Sequence, residues 1–600
     1  RWAIDVISSC VLIARVDWGL PSPARLELLT GGRPLSAEQT DQLRTLREAY
    51  YEKVDAAETL AGRRLLRGEA APPGDATTTA PLPQPPAPSW RMSDTEKLEA
   101  FRAYVLGSAA IDERKPFSAL SRMRPAEWDF DPKIYIYGGA YLYPLGGALA
   151  ALRAAGLLPV THDYGYYVEH PHVIARMYVT GRLMGVAAFL GTLVLLGRLG
   201  HRLGKTAGAT VAMLAWACST IALNQTLVCK PHVYAAFWTL LGVYLLIRHL
   251  ETRRRLFLMA GAAAAGWAAG SSLAAGIMAV VFPALLYDKR NPARLIKPTV
   301  LAWTVMGAVF AVMNPYLAFS FDRYALTLNE HASSQGWGYA VISPAKLMAY
   351  LADVFCRGYS FPVSLLGAGG MVATLCGGSA DTGATHPDDA RDPAHEWPRR
   401  LAWTCAGLLL LVGLSLANLR ISLFLGPFVC LYAAAGAIWL QTAAARLRSM
   451  APAFPLRPFF PAIWAVLFAP GLFFAALWAR DVVFAEGWRE PARKWLASCD
   501  RSDGTVWGMM ARPAPEDAPP FPFLHGQVVN LRAYTPDAAP LPDFVVIGNY
   551  ANDRARWEAH PLRSRYALAC DLGYRRSYDW GLRWRSKSES RVAGWIYRRK

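Results

Sequence analysis

The chain has 600 residues, 53% of them hydrophobic, with 21 Trp and a formal net charge of +18. Such a length suits several soluble domains, but apolar runs recur from about 172 to 479, which excludes an ordinary soluble protein. The charge does not point to nucleic acid, because the basic residues sit in short clusters between apolar runs, the pattern of cytoplasmic loops in a polytopic membrane protein.

Residues 1–19 read as a first transmembrane helix, interrupted by Asp5, Arg15 and Asp17 and expected to be truncated, since the chain begins at Arg1. Residues 36–67 are charged and helix-favouring, an amphipathic insertion. Residues 71–89, rich in Pro, Thr and Ala, form a linker that cannot build a core. The apolar stretch 140–158 precedes the acidic and aromatic loop THDYGYYVEHPH and reads as an interfacial or re-entrant helix. Basic clusters then punctuate the chain: Arg198, Arg202 and Lys205; Arg248 and Arg253 to Arg255; Lys289, Arg290, Arg294 and Lys297; Arg391, Arg399 and Arg400; Arg446, Arg448 and Arg457. An even number of apolar spans separates each cluster from the next, so all can face the cytoplasm. The pair 256–287 is short and must turn near Gly270-Ser271-Ser272. The count comes to about eleven spans, with the loops 20–172, 226–232, 319–358 and 418–420 and the tail 480–600 on the outer side. The tail alternates short apolar runs with turns, as in Asp543-Phe544-Val545-Val546-Ile547-Gly548, and predicts a small α/β domain. The nine cysteines show no metal-ligand spacing. Cys499 and Cys570 lie in the tail, where export would allow a disulfide.

One stretch carries chemistry, Ser108 to Leu145. Asp112 and Glu113 open it, and a short amphipathic helix follows with Phe117, Leu120 and Met123 near helical spacing. Asp129-Phe130-Asp131-Pro132 comes next, then Lys133, Tyr135, Tyr137-Gly138-Gly139, Tyr141 and Tyr143. Carboxylates can take a proton from a hydroxyl, and tyrosine rings settle at the headgroup level. On spacing alone, Asp112 and Glu113 equally suit a helix N-cap, and Asp129 and Asp131 a turn before Pro132.

This stretch resembles the first outer loop of the GT-C glycosyltransferases that use polyprenyl-phosphate sugars, of the protein mannosyltransferase and lipid A aminoarabinose transferase type. The resemblance rests on the acidic pair, the spacer, the "dfnP…Y" element and the Gly- and Tyr-rich helix start. It implies an α-helical polytopic membrane protein of GT-C type. The divisions are a first helix at 1–19, an extracytoplasmic catalytic loop with juxtamembrane helices at 20–171, a transmembrane core at 172–479 and an extracytoplasmic α/β domain at 480–600. Asp112 aligns with the general base on the acceptor hydroxyl, and Glu113 with the second acid, which positions the acceptor or a metal. Arg182 resembles the family's "R-l-s" helix start, and Arg420 its "RY…P" arginine, which holds the polyprenyl phosphate, though Ile421 replaces the usual Tyr; Arg182 and Lys230 are expected to join Arg420 in binding the donor phosphate. Lys230 and His232 suit phosphate contact. His232 stands where the family often has an acid, and this departs from any metal role by analogy. Asp129, Asp131, Tyr137, Glu330 and His331 are candidates to line the substrate.

The implied reaction is inverting transfer of a sugar from a polyprenyl-phosphate donor to a hydroxyl on a glycan, lipid or protein, on the extracytoplasmic face of a bacterial inner membrane. Its partners are the donor, the acceptor and the bilayer, with no nucleic acid. No organic cofactor is called for, a divalent metal is left open, and no Rossmann or phosphate-loop fingerprint is evident. A transporter or flippase for a lipid-linked substrate, and a non-catalytic envelope assembly protein, are the competing readings.

Overall fold

A computed structural model describes residues 20–45, 91–108, 113–161, 163–288, 291–325, 343–354, 358–359, 361–376, 393–415, 421–450, 495, 504–510, 521–534, 540–548, 553–571 and 594–600. The expected first helix at 1–19, the insertion 71–89 and the stretch 451–494 lie outside these residues. So do Asp112, Glu330, His331, Arg420 and Cys499.

Three short helices come first: α1 Pro23–Thr30, α2 Ala37–Thr45 and α3 Asp94–Leu106. Ser22 caps α1 and Gly31, at φ 64°, ends it in the left-handed region. Ser93 and Glu96 close a reciprocal capping box on α3, satisfying two orphan N–H groups. The motif stretch follows, with α4 Arg114–Arg122, α5 Gly139–Ala154 and α6 Tyr164–Glu169. With 16 residues and Pro144 inside, α5 falls short of the roughly 20 residues that a bilayer crossing needs.

The helical bundle is built from α7 Pro171–Ala217, α8 Thr220–Thr226, α9 Pro231–Thr252, α10 Arg255–Ser271, α11 Val281–Leu286, α12 Ile296–Met313, α13 Pro344–Asp353, α14 Phe361–Cys376, α15 Pro393–Ser415 and α16 Gly426–Met450. Four segments are long and apolar enough to cross a membrane: Pro171–Ala217, Pro231–Thr252, Pro292–Met313 and Ser422–Arg446. The chain is an integral membrane protein. The sequence reading of about eleven spans is not matched by the four such segments among the described residues. One reason is that two pairs of expected spans fold as hairpins. The first is α7 itself, which reverses at Gly204 and Lys205, where Lys205 takes φ 53°. A Cβ on Gly200 would lie 2.5 Å from the Gly208 carbonyl oxygen, whereas a continuous helix holds residues eight apart at about 12 Å. The second hairpin turns where the sequence reading expected it. α10 ends at Ser271, Ser272 is extended, and the chain returns through a 3-10 helix, Leu273–Val280, into α11.

These turns sort the loops into two ends. Arg202 and Arg248 both bond Glu251, at 3.0 and 3.2 Å. Arg400 donates to the Leu285 carbonyl at 3.1 Å. Three of the basic clusters therefore gather at one end of the bundle or border its turns. The motif stretch joins the other end, where the Gly138 N–H donates to the Ser271 carbonyl at 3.2 Å. Between the ends, small residues let backbones touch: a Cβ on Gly436 of α16 would lie 2.2 Å from the Leu366 carbonyl oxygen of α14.

The C-terminal region forms a five-stranded sheet of order β2-β1-β3-β5-β4. Its strands are β1 Val506–Met509, β2 Gln527–Asn530, β3 Phe544–Ile547, β4 Tyr566–Asp571 and β5 Trp595–Arg599. β1 runs parallel to β2 and β3, while β5 is antiparallel to β3 and β4. Every residue of β3 is buried, because both faces are covered. Phe544 and Val546 face a cluster with Trp507, Phe521 and Phe523 to which Leu28, Leu29, Leu43, Leu98, Phe101 and Tyr104 of α1, α2 and α3 contribute. Val545 and Ile547 face the other way, onto Trp557 of α17 Asp553–Glu558, Tyr566 and Tyr597. The helices α1, α2 and α3 thus share one core with the sheet.

Candidate functional site

The site grows from the way α5 meets the bundle. A Cβ on Gly138 would lie 1.9 Å from the Gly270 carbonyl oxygen, and one on Gly139 would lie 2.0 Å from that of Met313. Only glycine lets the start of α5 wedge between the ends of α10 and α12. Asn314 locks the wedge: its Oδ1 accepts from the Gly139 N–H at 2.9 Å and from the Tyr316 hydroxyl at 2.8 Å.

Glu113 stands at the start of α4, yet its side chain caps no helix. It is fully buried. Arg182 of α7 grips it side-on, with Nε to Oε1 at 2.9 Å and Nη2 to Oε2 at 2.7 Å. The Cys229 N–H donates to Oε1 at 2.8 Å and the Ser108 hydroxyl to Oε2 at 2.5 Å. Four donors match the roughly four lone-pair positions of a carboxylate, so these bonds leave no acceptor capacity for a substrate hydroxyl or a metal. The close fit extends along α7, where a Cβ on Gly181 would fall 2.1 Å from the Cys229 sulfur.

Lys230 is buried beside this pair, at the turn that starts α9, with its N–H bonded to the Val228 carbonyl at 2.7 Å. His232 is half-buried in the first turn of α9. Tyr137 is buried in the cluster of Ala119, Tyr141, Leu142 and Cys229.

A second acidic group lies nearer the surface. The half-exposed Asp129 accepts from the Asp131 N–H at 3.0 Å. Asp131 accepts from the Lys133 N–H at 2.9 Å, the Tyr135 hydroxyl at 3.2 Å and the Ser320 hydroxyl at 2.8 Å. The Lys133 ammonium stands 3.5 Å from Asp129 and 3.6 Å from Asp131. Burial, and then Asp131, push the Tyr135 phenol well above its ordinary pKa, so it stays a hydrogen-bond donor. Burial also raises Tyr324, whose ring meets Tyr135, to about 12. The structure therefore makes two groups of the sequence candidates. Glu113, Arg182 and Lys230 gather deep at the head of α7. Asp129, Asp131 and Lys133 gather on the loop before α5.

Sequence reasoning missed Ser108, Ser320 and the Cys229 N–H as partners. Nothing local marks Ser320 or Cys229, which lie 189 and 116 residues from the acids they bond, whereas Ser108 is only five residues from Glu113. Among the described residues no group of three or more His, Cys, Asp or Glu is arranged to hold a metal ion.

No protein-family model matches the chain, and no curated protein matches it. Solved structures align with it, among them three of archaeal oligosaccharyltransferases. One is the archaeal oligosaccharyltransferase AglB from Archaeoglobus fulgidus in complex with an inhibitory peptide and a dolichol-phosphate, at 12% identity and TM-score 0.36, covering 68% of this chain and 58% of that one. The others are the A. fulgidus oligosaccharyltransferase in the apo form and in complex with Zn and sulfate. Each is 14% identical with TM-score 0.36; the alignments cover 63% and 62% of this chain against 55% and 51% of theirs. The chain thus spans less than two thirds of the length of each.

Proposed function

We propose that this protein transfers a sugar from a polyprenyl-phosphate donor to an acceptor hydroxyl at the extracytoplasmic membrane surface, with inversion at the anomeric carbon. The observation that carries this reading is the saturated Glu113 carboxylate. It clamps the residue next to Asp112 onto the head of α7 and onto the turn that bears Lys230. Glu113 and the turn that bears Lys230 are thereby held together at one end of the bundle. Three of the basic clusters lie at or border the other end, which the positive-inside preference assigns to the cytoplasm.

In this mechanism Asp112 accepts the proton of the acceptor hydroxyl as its oxygen bonds to the anomeric carbon. The bond from that carbon to the phosphate oxygen breaks, and its electron pair leaves with the polyprenyl phosphate. Lys230 and Arg420 neutralise the leaving phosphate, arginine through a fork that fits phosphate oxygens. Glu113 and Arg182 act as positioning residues. Asp129 and Asp131 line the approach of the substrate.

The test is sugar release from synthetic polyprenyl-phosphate sugars by purified protein, wild type beside Asp112→Asn. The expected result is cleavage by wild type and at least a hundredfold loss in the variant, the scale of general-base catalysis. Full activity in Asp112→Asn would move the base elsewhere. No cleavage by wild type across a broad donor panel would overturn the reading in favour of transport or assembly.

A further inference from the structure

The outer acidic loop ends in apolar side chains that the protein itself does not cover. Trp128 is 85% exposed, Phe319 91% and Phe321 62%. A soluble surface scatters such residues singly, and contiguous apolar surface marks an interaction. Here the three flank one hydrogen bond: Ser320, between the two phenylalanines, donates to Asp131, three residues after Trp128. The Trp128 ring also meets that of Phe130 edge-on at 6.3 Å. Trp128 is held out by a left-handed backbone, φ 58°, at the end of the 3-10 turn Pro125–Glu127. A bulky residue rarely takes that conformation.

What covers these side chains follows from the helix next to them. Phe319 lies six residues past the end of α12, in the crossing segment that the protein covers least, with only 17% of its apolar window buried. Val300, Leu301, Trp303 and Val312 are exposed along that segment and can face only lipid. Phe319 and Phe321 continue that surface past the helix end. Arg124 and Lys133 lie on the Trp128 loop, paired with Glu127 and with Asp129 and Asp131, and such cations also suit lipid phosphates. Aromatic tips with neighbouring cations are the composition of a membrane–water interface.

We propose that the loops bearing Trp128 and Phe319 to Phe321 form a single element that inserts into the headgroup layer of the bilayer. It seats the Asp129 and Asp131 carboxylates at the level of the lipid phosphates. The Ser320–Asp131 bond makes the two tips move as one. This inference is independent of the reaction proposed above, since it concerns where the loop sits and not what the site does.

Nitroxide labels placed by Phe319→Cys and, separately, Trp128→Cys in protein reconstituted into phospholipid nanodiscs test it. The signal of labelled wild type is subtracted to remove native cysteines. The expected result is higher collision with oxygen than with a water-soluble nickel chelate at both positions. A label at Glu38→Cys on α2 should show the reverse. Adding Phe321→Ser to the Trp128→Cys protein should raise chelate access at 128, because the tips are coupled. Chelate access at 319 equal to that at 38 overturns the proposal and leaves the aromatic patch as a surface for a soluble acceptor. Should Trp128→Cys fail to fold, the Phe319→Cys label alone decides.

Discussion

At the scale of single residues, the Glu113–Arg182 pair is the feature with the largest stake. Both side chains are essentially removed from solvent, so each is tolerable only because the other, with Ser108 and the Cys229 N–H, satisfies it. Removing one partner strands a buried charge. Arg182→Met should therefore destabilise the protein by about 3–5 kcal/mol, read as a lower unfolding midpoint in detergent. Glu113→Leu combined with Arg182→Met should recover most of that loss, because two apolar side chains strand no charge. Sugar transfer should stay impaired in the double variant, since the Cys229 N–H and Ser108 then no longer hold the start of α4. Recovery of full activity would show that the pair serves folding alone.

At the scale of elements, the fit of α5 rests on missing side chains. Gly139 has the Met313 carbonyl oxygen 2.0 Å from where a Cβ would stand, while a Cβ on Gly147 of the same helix would meet nothing within 4 Å. Gly139→Ala should cost about 1–3 kcal/mol or more, since backbone and not a flexible side chain must shift. Gly147→Ala should be neutral or stabilising by up to about 1 kcal/mol, through helix propensity. Equal unfolding midpoints for the two variants would mean that α5 is not wedged against α10 and α12. The hairpin turns belong to this scale as well. The turn at Ser272 was legible, because basic clusters on both sides demanded a return within a short stretch. The reversal at Gly204 and Lys205 was legible through its cluster Arg198, Arg202 and Lys205. The 3-10 conformation of the arm Leu273–Val280 was not, since apolar composition gives length of run but not how the backbone winds.

At the scale of the whole molecule, the sheet is not a separate appendage. Phe101 of α3 is fully buried against strands more than 400 residues later in the chain. Phe101→Ala should cost about 3–5 kcal/mol and should open the C-terminal region to limited proteolysis before the bundle unfolds. An unchanged cleavage pattern would show that the sheet is stable without its helical layer. The strands themselves were readable from Asp543 to Ile547, where a continuous apolar run forecasts cover on both faces. The identity of that cover was not. α1, α2 and α3 look like an amphipathic insertion and its flanks, and their apolar residues name no partner.

The sequence by itself determined that the chain lives in a membrane and that Ser108 to Leu145 carries the acids and tyrosines. Those features are local: run length, charge spacing and residue type are written within a few tens of residues. Only the tertiary structure decided what surrounds Glu113. Asp112 and Glu113 are neighbours of equal chemistry on paper. Glu113 is bonded by Arg182, 69 residues away, and by the N–H of Cys229, 116 residues away. A carboxylate's acceptor capacity depends on how many donors the fold brings to it, and that number is set by contacts between elements that no single stretch of sequence contains.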